Sequence, residues 1–269
     1  VKHATTLLIA LSASALAQTP PLTPAPRILQ VFRESIRPGK ESQYVRAEIE
    51  VAATLARLGF PHNYLTVSAV TGASDVWIFN GFDSYADVDQ TGAAISSKPE
   101  LLAAFDRHMA SKDGLVIEGR SIFAHHRDDI SSGRGLSGSR PRFFSIAVVS
   151  VRPGHQGEYA EIWRILRAGH EHAGITDIHL IYEVASGMPD PTFIVLTPAA
   201  SLEDAGTSRL THGRRFEEAL GAAQSAKMRE LMSSAILTSE TNIFAIHPGM
   251  SLPAKEWMDA DPDFWKPQR

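Results

Sequence analysis

The ten residues SIRPGKESQY at 35–44 return 115 residues later as SVRPGHQGEY at 150–159. A chain that writes a strand end, an Arg-Pro-Gly turn and a helix start twice at that distance consists of two copies of one unit of about a hundred residues. Two such units can each bury a core, and each can cover a face that the other leaves open.

The order of elements agrees on either side of a Gly/Ser/Pro-rich stretch, SSGRGLSGSRP at 131–141, which reads as a linker. In the first half, ILQVFRESI (28–36) has the β-branched and aromatic content of a strand, and Arg37-Pro38-Gly39 turns the chain into a helix with Tyr44, Val51, Ala52, Leu55 and Leu58 on one stripe. HNYLTVSAV and DVWIFNGF around a TGAS turn form a hairpin, PELLAAFDRHMA a second helix with Pro99 in its first turn, and RSIFAHH (120–126) a last strand. The second half repeats the series with RFFSIAVVSV, a helix carrying Tyr159, Ile162, Trp163 and Leu166, the hairpin DIHLIYEVA and TFIVLTP, a helix around RRFEEALGAAQSAKMRELM, and TNIFAIH (241–247). Ile122-Phe123-Ala124 with His126 matches Ile243-Phe244-Ala245 with His247 at a spacing of 121. The first strand of each half is a nearly continuous apolar run, as expected of a sheet covered on both faces. The expected fold class is α+β: two tandem ferredoxin-like βαββαβ units packed sheet to sheet.

The ends carry other signals. Residues 1–17 combine a weakly basic start, the apolar run ATTLLIALSASA and a small-residue cleavage signal ending at Ala17, and are expected to be a secretory signal peptide. The mature protein would then be secreted or periplasmic. Residues 18–26 form a Pro-rich leader, 27–130 the first unit, 131–141 the linker, 142–247 the second unit, and 248–269 a C-terminal strap whose Trp257, Phe264 and Trp265 need cover from the body or from an oligomer partner. A net charge of −4 and the lack of a basic stripe argue against nucleic acid as a partner, and no run is long enough for a stable membrane span. Without cysteine, neither a disulfide nor a thiolate metal site can form.

Arg37-Pro38-Gly39-Lys40 with Tyr44, and Arg152-Pro153-Gly154-His155 with Tyr159, resemble the dimeric α/β-barrel superfamily, which includes antibiotic-biosynthesis-type monooxygenases and proteins of the NIPSNAP kind. The resemblance covers roughly 27–126 and 142–247 and implies a barrel of two ferredoxin-like units. It carries architecture further than chemistry. Haem is the one cofactor it admits, through a His on the second helix of each unit; His108 stands about one turn late for that pattern. No cofactor or metal is predicted from the residues themselves. His170, His172, His179, His125 and His126 lack the spacing of a ligand set.

Arg33 and Glu34 interrupt an apolar strand where the second half has Val148 and Val149, and with His62 they are the candidate catalytic residues. Tyr64 and Trp77 in the first half, and Trp163, His179 and Tyr182 in the second, are the candidate ligand-binding residues. Strand alternation sets Tyr182 on the face opposite His179 and Glu183, so these cannot share one cavity. Three functions fit: a protein binding a small apolar or aromatic molecule, a monooxygenase-type enzyme acting on an apolar or phenolic substrate, and a structural module filled by its own side chains.

Overall fold

The structure is a computed structural model that describes residues 24–133 and 140–266, without the side chains of 207–212 and 214. The expected signal peptide (1–17), most of the expected leader and the middle of the expected linker lie outside the described residues. In chain order the elements are β1 (Ile28–Ile36), α1 (Glu41–Arg57), β2 (Tyr64–Ala69), β3 (Asp75–Phe82), α2 (Tyr85–Ser96), α3 (Pro99–Ser111) and β4 (Val116–His126), followed by β5 (Phe143–Val151), α4 (Gln156–Ala173), β6 (Leu180–Ser186), β7 (Thr192–Ala199), α5 (Leu202–Ala235), β8 (Ile236–Ile246), α6 (Lys255–Ala260) and α7 (Pro262–Trp265). Helix α5 is broken at Gly221, whose φ of 73° leaves the helical region.

Eight antiparallel strands close into a barrel in the order β1-β3-β2-β8-β5-β7-β6-β4. Each half supplies four neighbouring strands with its first strand between its third and last. The two sheets do not stack as separate layers; they join by their edges, β2 to β8 over three residue pairs and β4 to β6 over four pairs with a bulge. Closure removes the exposed strand edges that each half alone would carry. Alternation along the strands then sends one set of side chains inward. Leu29, Val31, Trp77 and Phe79 of the first half meet Phe144, Ile146, Tyr182 and Leu196 of the second in one core inside the barrel. The outward set packs under α1 and α3 in the first half and under α4 and α5 in the second.

The repeated Arg-Pro-Gly does the same work twice. Gly39 and Gly154 have φ of 79° and 87°, which a residue with a Cβ adopts only under strain. The Arg37 backbone N–H donates to Leu115 O and that of Arg152 to Ala235 O, at 2.8 and 2.7 Å. Each guanidinium Nε then donates to the carbonyl one residue earlier, Gly114 or Ser234. The turn is thereby fastened to the start of the last strand of its own half.

Strand register corrects the match at the far ends. Ile28 lies opposite His125 and Phe143 opposite Ala245, so the first strands are offset by 115 residues and the last strands by 120, not 121. A slip of one residue exchanges the two faces of a strand. Ile122 accordingly points into the barrel core, whereas in β8 it is Phe244 that does so, and His126 corresponds to Ile246 rather than to His247.

Candidate functional site

A cavity of about 400 Å3 opens at one end of the barrel. Its walls are inward side chains from both halves, among them Leu29, Leu65, Phe79, Phe144, Leu180, Tyr182 and Leu196. Its roof comes from the segments that flank the barrel: Pro24, Ala25 and Pro26 before β1 on one side, Leu252, Pro253, Ala254 and Trp257 after β8 on the other. The roof is held by specific bonds. Leu252 exchanges backbone hydrogen bonds of 2.9 and 3.0 Å with Tyr64, and the Ser251 hydroxyl accepts from the Thr66 N–H at 2.9 Å. Arg142 pairs with Asp261 at 2.5 Å and lies over the Phe264 ring, 3.8 Å from its centroid.

Two further clusters lie outside the barrel, beneath the helices. In the first half the outward Glu34 accepts from Tyr44 Oη and from Lys112 Nζ, both at 2.6 Å. Lys112 also stands 3.4 Å from Glu48, and His108 Nε2 stands 3.0 Å from Glu48 Oε1. Glu48 is 2% exposed and Lys112 7%. Burial pushes the Glu48 carboxyl up; the nearby His108 and the charge of Lys112 outweigh it and hold Glu48 below its ordinary value. Burial and the two carboxylates push the Tyr44 phenol far up, so it stays protonated as a donor.

A pH dependence follows. A carboxyl depressed in the folded state stabilises the fold fully above its ordinary value of 4.5, and that contribution disappears as the pH falls through the lower folded value. Glu48→Gln should therefore flatten the acid limb of stability, measured by urea unfolding between about pH 3 and 6. Parallel acid limbs for parent and variant would contradict the assignment.

At the same level of the second half the chemistry is different. The residues around Tyr159 are Val149, Trp163, Met228 and Phe193. Trp163 lies 5.3 Å from the His179 ring, and His179 Nδ1 shares a 2.9 Å hydrogen bond with Thr197 Oγ1. Burial, helped by the neighbouring His170, pulls His179 down to about 4, so it is neutral at pH 7.

The structure brings some of the residues singled out from sequence together and separates others. Tyr64 and Tyr182 line the cavity, and Trp77 lies one layer below it, 6.0 Å from Phe79. His62 stacks on the outer side of the lining residue Phe82 at 4.2 Å, with its imidazole pulled below the ordinary value by burial. Glu34 is bound in the ionic cluster on the opposite side of the sheet. Arg33 points inward, but four residues along β1 from Leu29; it is held by Asp75 at 2.6 Å and lies 5.4 Å from the Trp77 ring centroid. Trp163 and His179 face the helices, away from Tyr182. The three candidate catalytic residues therefore do not meet at one place. Asn63, Asp83 and most of the apolar lining were not singled out; strand alternation alone would have placed Leu29, Phe144 and Leu196 inward, but nothing local marks which end of the barrel stays open.

His108 stands in the ionic cluster beneath the helices, with Nε2 3.0 Å from Glu48 Oε1 and Nδ1 buried without a partner, and it does not line the cavity. Among the described residues no group of three or more His, Asp or Glu side chains is placed to hold a metal ion, and no helix is long and apolar enough to cross a membrane.

No family model and no curated protein matches the chain. Solved structures do. A provisionally named monooxygenase from Fusobacterium nucleatum is 13% identical, with 82% of this chain and 93% of that one covered and a TM-score of 0.52. An anthrone oxidase-like protein is 14% identical over 82% of this chain and 92% of its own, with a TM-score of 0.51. Both are dimeric α/β-barrel proteins, and the chain has that fold. Identities this low carry the fold and not the chemistry.

Proposed function

We propose that this chain binds a small apolar or aromatic molecule at the mouth of its barrel. The observation that carries the reading is the cavity of about 400 Å3, walled by apolar side chains of both halves and roofed by the segments before β1 and after β8. A volume in the range of small-molecule sites, mostly apolar with few polar tips, is the form such sites take. A module filled by its own side chains would close this space, since protein interiors pack to the density of organic crystals.

Two finer readings belong with it. The matched strand order of the halves supports two ferredoxin-like units fused in one chain, and the N-terminal residues support export with cleavage after Ala17. Mass spectrometry of the protein from its own host should give a mature chain starting at Gln18; a chain that keeps residues 1–17 would overturn the export reading. A monooxygenase acting on the bound molecule draws support from the names of the two proteins of like fold, but none of Arg33, Glu34 and His62 lines the cavity.

The binding test uses N-phenyl-1-naphthylamine, a neutral dye that brightens in apolar surroundings. The parent protein should enhance its emission saturably, and Leu180→Trp, which places an indole in the cavity, should weaken the affinity by about tenfold or more, a change of at least about 1.4 kcal/mol. Absence of saturable enhancement in the parent would overturn the reading.

A further inference from the structure

The cavity is almost free of charge, and Tyr182 is the one buried polar side chain of its lining that points inward, since Tyr64 packs outward with Val51, Leu55 and Leu101. Among its lining residues there is no Lys, Arg or His, and the single carboxylate, Asp83, lies exposed at the rim. The two imidazoles nearest the lining are His62, stacked on Phe82, and His126, paired across β4 and β6 with Tyr182 on the inward face, its ring centroid 5.2 Å away. Burial lowers both below the ordinary imidazole value, so neither brings a positive charge to the site at pH 7. A ligand carboxylate or phosphate would leave water with no cation to meet it, and Asp83 would repel it. Desolvating such an ion without a partner is far costlier than desolvating a hydroxyl.

Tyr182 is the polar tip. It is 1% exposed, it points inward from β6 into the cavity, and burial alone acts on its phenol, with no hydrogen bond to a described side chain. Its neighbours Leu180 and Leu196 offer it nothing, and the adjacent His126, whose Nε2 is buried without a partner, makes no hydrogen bond to it. The phenol is pushed above its ordinary value by burial alone, so it keeps its proton and is available as a donor. The oxygen is not among the fully enclosed polar atoms that lack a partner, so it is reached from the cavity, where a ligand oxygen can accept from it. The surroundings are aromatic as well: Phe79, Phe144 and Trp257 line the same space.

We infer that the ligand is an uncharged aromatic molecule carrying a hydroxyl or carbonyl group, and that the Tyr182 hydroxyl is the residue that reads this group. The inference rests on the binding reading above and specifies its ligand class. The other occupant that could satisfy Tyr182 is an ordered water, which would confer no preference between ligands.

The experiment compares naphthalene, 2-naphthol and 2-naphthoate as competitors of N-phenyl-1-naphthylamine at pH 7. The expected order is 2-naphthol tighter than naphthalene by about fivefold to tenfold, the yield of one buried hydrogen bond, with 2-naphthoate weakest. Tyr182→Phe should bring naphthol and naphthalene within about twofold of one another. Equal affinities for naphthol and naphthalene in the parent, or 2-naphthoate binding tightest, would overturn the inference and leave the binding reading standing. A naphthol preference that survives in a folded Tyr182→Phe protein would overturn the role of Tyr182. Failure of the dye and all three competitors to bind would instead overturn the binding reading and the inference with it. The parent series decides the ligand class even if Tyr182→Phe does not fold.

Discussion

Replacing Lys112 by Met should destabilise the protein by about 3–5 kcal/mol, measured by urea unfolding at pH 7. Lys112 is the cation between Glu34 and Glu48, and all three are largely withdrawn from water. Its removal leaves two carboxylates facing each other across a space that no longer holds a matching charge. They can recover only by taking up protons, so the variant should gain stability relative to the parent as the pH falls. The second half shows that the architecture does not require these charges. Glu34 and Glu48 correspond to Val149 and Trp163 at the 115-residue offset, and His108 and Lys112 to Met228 and Met232 when the 120-residue offset of the last strands is carried back. Exchanging all four first-half residues for their second-half counterparts should therefore recover much of what Lys112→Met loses, because a buried ion cluster replaced as a whole by apolar residues is often neutral or stabilising. A Lys112→Met cost below about 1 kcal/mol would mean that the cluster is wet, and the argument from burial would fail.

Trp77→Ala should cost a similar amount, about 3–5 kcal/mol, for a different reason. Trp77 is 2% exposed and fills the middle of the barrel, in contact with Phe79 on the cavity side and with Phe244 of the other half at 5.6 Å. It also carries the face over which Arg33 lies, so truncation removes a cation–π contact along with the packing. Because it forms the layer beneath the cavity, its loss should extend the cavity downward rather than leave a sealed void. Saturating naphthalene should then restore more stability to Trp77→Ala than it adds to the parent, as expected when a ligand binds the folded state alone. Equal stabilisation of the two proteins would show that Trp77 does not floor the site.

The sequence made the architecture legible because the repeat is written in backbone-determining residues. Pro, Gly and the first-strand apolar run have few alternative uses, and β1 and β3 fall within the bounds their residues indicate. Helix α2 escaped notice because it buries no residue and so shows no apolar stripe. A signal was present: Ser84 caps it by accepting from the Asp87 N–H, and Ser201 caps α5 through Asp204 in the same way. The Ile-Phe-Ala-x-His match was misleading because similar letters one residue out of register face opposite sides of a strand. The site was less legible than the fold. Glu34 was picked out correctly as a charge that needs a partner, but its partners Lys112 and Glu48 come from α1 and the end of α3, and nothing in the local sequence ties them to β1. The cavity depends on which barrel end the segments before β1 and after β8 cover, a property of the closed structure rather than of any segment.

The short seams between the halves have a kinetic meaning. Three residue pairs at one edge and four at the other seal a core to which both halves contribute, and within one chain each half meets the other at a local concentration fixed by the tether between Gly133 and Arg140. Cutting that tether should convert refolding from a process independent of protein concentration into one that slows on dilution. The same arithmetic makes a crowded solution of unfolded chains prone to exchange halves, each first half closing on the second half of a neighbour.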